Sequence, residues 1–276
     1  MKLKFNLIMM AVVLFMAACS SNDDPTPSPD QDVAGIYKGY TMAEFKYTAI
    51  PMTTPNESIS LVANDNGKSS ISFTSQKWGK FTISDAVVTL KNDTYTIEGS
   101  GKTVMGMDAE SQKEYDCTVE GTISKDKKTV SFVFNVPSVM GGLKITFTQG
   151  DAPASMVIAS VYDGSLDVSV LGASQGTYDS KVTIKSQKNG KAEVLLAGFG
   201  EGAMAFQDIT ITDVEVTAGS DGSYAIAGTI DTNSGTTKVT GTLDGTIKDG
   251  KASIIFTMKP GAMPMDIVAT FTSKEK

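Results

Sequence analysis

The amino-acid sequence repeats itself once over most of its length. Short motifs in residues 36–148 recur in the same order in residues 161–272, at offsets between 123 and 129 residues. The matched segments are 36–39 with 161–164, 66–68 with 189–191, 82–85 with 210–213, 95–97 with 224–226, 121–123 with 245–247, and 147–148 with 271–272. Solenoid units repeat every ~20–50 residues, so this much longer spacing predicts two copies of one domain.

Both copies show the pattern of short antiparallel strands. Apolar and polar residues alternate on either side of turn sequences such as Asn92-Asp93 and Asn189-Gly190. Alternation with period two and such turns are typical of β-hairpins. Evenly spaced short strands favour a sandwich or an up-and-down barrel. We predict an all-β protein with domains at residues 33–150 and 155–276, joined by a short linker.

The N-terminal segment predicts export and a lipid anchor. Lys2 and Lys4 precede an apolar stretch and the small-residue sequence Met16-Ala17-Ala18-Cys19. This pattern is typical of a secretory signal peptide, and it is too short for a membrane span of about 20 apolar residues. The segment resembles a bacterial lipobox, although Met16 stands where Leu is usual. Residues 1–18 are therefore predicted to be removed, and Cys19 to be lipidated and to hold the protein on the membrane.

Residues 19–32 are predicted to form a tether. Ser20-Ser21-Asn22-Asp23-Asp24 resembles the acidic export signal of Bacteroidetes surface lipoproteins, and a plain solvated tether is the alternative interpretation. The alternating prolines that follow favour an extended, semi-rigid spacer. We therefore expect an outer-membrane lipoprotein exposed on the cell surface.

The absence of histidine excludes most catalytic and metal chemistry. The chain has no His and two cysteines, so neither Ser-His-Asp nor Cys-His activation is available, nor are common zinc sites. With Cys19 acylated, Cys117 has no disulfide partner and is expected to be buried. Loss of residues 1–18 takes the net charge from −7 to −9, which disfavours nucleic acid. We predict no enzyme activity, no cofactor and no metal.

Four further features have functional and structural interpretations. Trp78, the single tryptophan, is either an exposed aromatic that binds a ligand or a cap on a domain end. Asp85 and Asp213 are equivalent in the two copies, so they are expected at bends and not as one glycosidase pair, which needs carboxyls ~5–10 Å apart. Asn64–Gly67 resembles a calcium loop faintly and a hairpin turn strongly. Seven methionines in predicted loops indicate loop packing or an adaptable apolar surface: Met52, Met105, Met107, Met140, Met204, Met263 and Met265.

The second copy resembles the calycin-like β-barrel domain of Bacteroidetes lipoproteins, a relative of lipocalins. The residues that carry the resemblance are 161–166, 182–184, 197–199, 208–214, Phe256 and 260–265. The resemblance implies two tandem antiparallel barrels of about eight strands, with a cavity for a small apolar ligand. Lipocalins have Gly-x-Trp in the first strand, where this chain has Tyr37 and Tyr162.

These features together predict a lipid-anchored, non-enzymatic protein that binds a small apolar or glycan-like ligand. One alternative is a structural or interaction subunit of an outer-membrane complex without a small ligand. A second is a glycan hydrolase that uses carboxylates alone.

Overall fold

The computed structural model describes residues 27–274, except residues 76, 107, 109, 203 and 204. The predicted signal peptide, Cys19 and the first part of the tether lie outside the described residues, as do Met107 and Met204. Two closed barrels of eight strands follow one another along the chain. The prediction of an all-β fold with two tandem barrels is therefore confirmed.

The first barrel begins with a short helix, and its eight strands run consecutively. They are α1 (Pro29–Asp32), β1 (Gly35–Glu44), β2 (Met52–Ala63), β3 (Ser69–Ser75), β4 (Gly79–Lys91), β5 (Thr94–Met105), β6 (Lys113–Ser124), β7 (Val130–Val136) and β8 (Leu143–Gln149). The second barrel repeats this order. Its elements are α2 (Ala154–Val157), β9 (Ser160–Val170), β10 (Ala173–Ser186), β11 (Ala192–Leu196), β12 (Ile209–Ala218), β13 (Tyr224–Ser234), β14 (Thr237–Lys248), β15 (Lys251–Pro260) and β16 (Ile267–Ser273).

Every strand pairs antiparallel with the next one along the chain, and the last strand closes on the first. In the first barrel Thr41 of β1 lies opposite Phe147 of β8, and in the second Leu166 of β9 lies opposite Phe271 of β16. Closure removes the free strand edges that an open sheet would present. Within the described residues, no helix is long and apolar enough to cross a membrane.

Aromatic side chains fill the interior of the first barrel. Buried positions alternate with half-buried ones along β7, which points Phe132 and Phe134 inward. Phe134 meets Phe73 of β3 and Phe81 of β4 across the barrel, with ring centroids 5.6 and 5.0 Å apart. The resemblance implies a ligand cavity, but at this level the described side chains occupy the axis. Space for a ligand must therefore lie towards a barrel end.

Each barrel is closed at one end by its short helix, which a tyrosine of the first strand holds in place. The Tyr37 hydroxyl donates a hydrogen bond to the carbonyl of Val33, at the end of α1, at 2.7 Å. The Tyr162 hydroxyl donates in the same way to the carbonyl of Ile158, at the end of α2, also at 2.7 Å. These tyrosines stand at the Trp position of the lipocalin motif, and both are buried. They explain why the Tyr-x-Gly motif recurs in the repeat.

The substitution Tyr162→Phe is expected to lower the free energy of unfolding of the second barrel by about 1–3 kcal/mol, because it leaves a buried carbonyl without its donor. Burial raises the pKa of Tyr162 to about 12, which agrees with a hydroxyl that stays protonated. Urea unfolding measures the change. Tyr47→Phe is the control, since Tyr47 is 75% exposed, and an equal effect of the two substitutions would contradict the assigned role.

Candidate functional site

The upper end of the first barrel is the end opposite α1. It holds the connections β1–β2, β3–β4, β5–β6 and β7–β8, because the strands alternate in direction from β1 onward. The connections at residues 106–112 and 137–142 are the longer ones, apart from the segment between β1 and β2. Between them and the β3–β4 turn lies an open groove of about 970 Å³, which we call the upper groove. Ligand pockets in proteins usually span about 300–1,000 Å³.

The walls of the upper groove are apolar and its rim is polar. Six apolar side chains and six polar ones account for most of the lining. The apolar ones are Trp78, Met105, Tyr115, Val139, Met140 and Leu143, and the polar ones are Thr74, Ser75, Lys77, Lys80, Gln112 and Lys113. Met105 and Met140 are two of the methionines that the sequence placed in loops; Met140 is in the β7–β8 connection, whereas Met105 is the last residue of β5, so the loop prediction is wrong for Met105. Both supply polarizable groups that adapt to different shapes. The arrangement suits a small molecule with an apolar body.

Trp78 forms the inner wall of the groove. Its side chain is 6% exposed, and it belongs to the apolar core of the first barrel. The structure thus agrees with the interpretation of Trp78 as a cap, and an exposed stacking platform is excluded by its burial. The indole Nε1–H has no hydrogen-bond partner among the described residues, which is uncommon for a buried tryptophan. Trp78 therefore offers a donor that no described group uses.

A buried carboxyl group lies beneath the groove. Glu57 of β2 is 8% exposed and accepts a hydrogen bond from the Ser75 hydroxyl at 2.6 Å. Between Gly39↔Glu57 and Thr41↔Thr54, β2 contains one residue more than β1, and Asn56 within this bulge has φ 59°. Such bulges re-aim side chains. Glu57 was not among the sequence candidates, although it shares a strand face with Ile59, two positions along.

Burial holds the pKa of Glu57 above its ordinary value of 4.5, against the opposing effects of the Ser75 hydrogen bond and the Lys77 charge. The folded state therefore favours the protonated group. The stabilisation is complete below pH 4.5 and declines as the pH rises through the folded-state pKa.

The glutamine side chain of Glu57→Gln stays neutral at every pH. The melting temperature of the variant minus that of the unchanged protein is therefore expected to rise steadily from pH 4.5 towards neutral pH. Thermal unfolding at a series of pH values measures this difference. Glu98→Gln, at an exposed position of β5, serves as the control. A constant difference between Glu57→Gln and the unchanged protein would contradict the burial of an ionisable Glu57.

Two further polar side chains face the interior in the same barrel. Thr41 of β1 and Thr103 of β5 are fully buried, and neither hydroxyl has a hydrogen-bond partner among the described residues. Most buried polar groups in proteins are hydrogen-bonded. Among the described residues of the second barrel, Ser180 also has a buried hydroxyl without a hydrogen-bond partner, so unpaired hydroxyls occur in both copies.

The second barrel lacks this arrangement. The pairings Ile59↔Phe73 and Val182↔Leu196 are equivalent in the two copies. Glu57 lies two residues before Ile59, as Ser180 does before Val182, so these two residues correspond. Ser75 lies two residues after Phe73, as Gly198 does after Leu196, so these two correspond as well. In place of Trp78 the second barrel has the longer connection 197–208, where Phe199 stacks on Phe206 with ring centroids 4.9 Å apart. Tyr178 packs against Phe199, so aromatic side chains close this end.

The other sequence candidates have structural roles. The Asp85 carboxylate accepts a hydrogen bond from the Asn66 amide at 3.1 Å, and the Asp213 carboxylate accepts one from Asn189 at 2.9 Å. These bonds fix the same hairpin turn in both copies, where the sequence suggested a faint calcium loop at Asn64–Gly67. No group of three metal-ligating side chains occurs in the part of the chain that the structure describes. Cys117 is buried, as predicted, and burial raises the pKa of its thiol to about 11.

Another cavity lies where the two barrels meet. It measures about 550 Å³ and is lined by Pro55, Asn56 and Glu57 of the first barrel, the linker, and Val157 and Tyr224 of the second. Its lining is half polar and includes main-chain segments of the linker. It is therefore a weaker ligand site than the upper groove, whose walls are mainly apolar.

The comparison with known families identifies the class of protein. The Calycin-like beta-barrel domain matches residues 33–150 and again residues 158–274. The chain belongs to this family and contains two copies of its domain.

Two solved structures and the curated proteins complete the comparison. A crystal structure from Bacteroides fragilis NCTC 9343, of a protein provisionally named an outer membrane protein, is 32% identical with a TM-score of 0.76. The match covers 90% of this chain and all of that one. A DUF3598-family protein of unknown function from Nostoc punctiforme is 7% identical, with a TM-score of 0.22, over 91% of this chain and all of that one. No curated protein matches.

Proposed function

We propose that the protein is a non-enzymatic lipoprotein of the outer membrane that binds a small ligand in the upper groove of its first barrel. The observation that carries the proposal is the groove itself, which combines an apolar lining with a recessed indole that has no partner among the described residues, and in which Ser75 is bonded to the buried Glu57 behind it. The second copy keeps the fold but has Ser180 and Gly198 in place of Glu57 and Ser75, and it has no tryptophan. A difference of this kind favours a specific role for the first copy's upper end.

The membrane part of the proposal rests on Cys19 and on the Bacteroides relative. The sequence around Cys19 resembles a lipobox, and the relative bears the provisional name of an outer membrane protein. Two or more acyl chains on one cysteine hold a protein stably on a bilayer, whereas one chain binds only marginally. Lipidation at Cys19, followed by the tether, would place both barrels outside the membrane on the cell surface.

Metabolic labelling with palmitate tests the anchor. Labelling is expected for the unchanged chain and for Cys117→Ala, and it is expected to disappear for Cys19→Ala. Equal labelling of Cys19→Ala would refute lipidation at this residue.

Native mass spectrometry tests ligand binding. Each barrel is closed and has its own core, so the chain from residue 20 onward is expected to fold without its N-terminal segment. After incubation with an envelope extract, a bound small-molecule mass is expected. The substitution Met105→Glu in the groove wall is expected to remove it, and Leu90→Glu on the outer wall is expected to retain it. A bare polypeptide mass for the unchanged protein would contradict the proposal.

An interaction role at the same end is the second candidate. Tyr47 and Met140 are 75% and 50% exposed, and their connections touch, since a Cβ on Gly141 would lie 2.9 Å from the side chain of Lys46. Exposed apolar groups that lie together mark protein contacts in many proteins. Cross-linking in whole cells is expected to give one specific partner band that Tyr47→Ser abolishes, if this candidate is correct.

A further inference from the structure

The rim of the upper groove is positively charged. Lys77, Lys80 and Lys113 line it, and none of the described lining residues is acidic. Some lysines elsewhere in the same barrel are paired, as Lys102 is with Asp116 at 2.8 Å. None of the three rim lysines forms an ion pair with a carboxylate of the described residues. The groove lining is therefore locally positive in a chain of net charge −7.

One lysine lies directly beside the apolar part of the lining. Lys113 of β6 lies opposite Met105 of β5, whereas Lys80 of β4 lies opposite Val104, the residue before Met105. Successive residues of a strand point to opposite faces, so Lys113 shares the inner face of Met105, ~4.8 Å away on the next strand, and Lys80 lies on the outer face with Val104. Lys77 directly precedes Trp78 in the β3–β4 turn. Its charge opposes the effect of burial on Glu57, although burial still holds the pKa of Glu57 above its ordinary value. The groove therefore places cations within reach of any head group whose apolar body rests on Trp78.

The chemistry of the groove points to one ligand class. We propose that the upper groove binds an amphipathic anion, with its apolar body against Trp78 and Met105 and its carboxylate, sulfate or phosphate group at Lys77 and Lys113. This inference rests on the proposed function and specifies its ligand. A glycan fits less well, because the lining of the groove is mainly apolar. Charged clefts with apolar walls concentrate ligands of opposite charge.

Calorimetric titration with three probes of equal chain length tests the head-group preference. Decanoate is the anion, decanol the neutral probe and decyltrimethylammonium the cation. Decanoate is expected to bind about tenfold more tightly than decanol, as a few partly exposed ion pairs of up to ~1 kcal/mol each allow, and the cation is expected to bind most weakly. High salt is expected to weaken the binding of decanoate and to leave the binding of decanol unchanged, since salt screens exposed charges.

Lysine substitutions locate the head group. Lys77→Ala and Lys113→Ala are each expected to weaken the binding of decanoate about threefold, because an exposed ion pair contributes at most ~1 kcal/mol. Neither is expected to change the binding of decanol. Lys188→Ala, at an exposed turn of the second barrel, is the matched control and is expected to leave both probes unchanged. Circular dichroism confirms that each variant is folded. An equal loss of affinity for decanol would overturn the assignment of the lysines to the head group.

The outcomes separate this inference from the proposed function. Tighter binding of decanoate that depends on the lysines supports both. Equal binding of decanoate and decanol in the groove supports the proposed function and overturns the anion preference. Binding of no probe, together with a bare mass in native mass spectrometry, overturns both. Sedimentation with phosphatidylglycerol vesicles without binding of free decanoate would make this end a membrane-docking face and overturn the small-ligand inference.

Discussion

Phe134→Ala is expected to lower the free energy of unfolding of the first barrel by about 3–5 kcal/mol, the usual cost of removing a buried aromatic ring. Phe134 is fully buried and meets both Phe73 and Phe81, which lie on strands across the barrel. No single neighbour is able to fill the space, because the rings come from separate strands that are fixed by the closed sheet. The loss therefore includes a cavity as well as lost apolar burial.

Urea unfolding measures this loss, and Leu90→Ala is the control. Leu90 lies on β4 of the same barrel with 41% of its surface exposed, so its truncation is expected to cost under about 1 kcal/mol. The second barrel is expected to unfold as before in both variants, since it has its own core. Similar losses for Phe134→Ala and Leu90→Ala would contradict the account of a packed axis.

Gly39→Ala is expected to destabilise the first barrel by at least about 1–3 kcal/mol, the typical cost of overpacking. A Cβ at Gly39 would overlap the backbone carbonyl oxygen of Thr148 and lie 2.8 Å from the ring of Phe147. Both belong to β8, the strand that closes the barrel on β1. A backbone atom in a closed sheet cannot move away as the tip of a side chain can, so the seam between β1 and β8 must open.

The same seam occurs in the second copy, which gives an internal check. A Cβ at Gly164 would overlap the carbonyl oxygen of Thr272 and lie 2.7 Å from the ring of Phe271. Gly39→Ala is expected to shift only the unfolding of the first barrel, and Gly164→Ala only that of the second. Lys38→Ala, at the exposed neighbouring position, is the control. A loss at Gly39 no larger than at Lys38 would contradict the steric role.

The repeat predicted the fold because its motifs are the residues that close the barrels. Tyr37 and Tyr162 hold the helices in place, and Gly39 and Gly164 leave room for a phenylalanine ring. The Asn side chain of each Asn-Gly turn donates a hydrogen bond to an aspartate of the next strand. Each of these contacts is local or joins adjacent strands. Contacts of this kind constrain residues that are close together in the sequence, so they are visible as short motifs. The duplication repeats each motif.

The candidate site was only partly predictable, because it depends on features that the two copies do not share. Trp78 was noted, but its burial results from packing on the barrel end by side chains of three different connections. Glu57 was missed because charged residues are mostly exposed, and the bulge at Asn56 interrupts the regular alternation of β2. Lys77 and Lys113 are 36 residues apart in sequence, and they line one groove only because β4, β5 and β6 are in register.

Nuclear magnetic resonance of the single indole N–H tests the binding site most directly. The chain has one tryptophan, so a ¹H–¹⁵N spectrum contains one indole signal, from Trp78 in the wall of the upper groove. Titration with decanoate is expected to shift this signal, with a midpoint equal to the calorimetric Kd, and to leave the amides of Val157 and Tyr224 in the cavity between the barrels unchanged. An indole signal that stays fixed at saturation while those amides shift would contradict a binding site in the first barrel's upper groove.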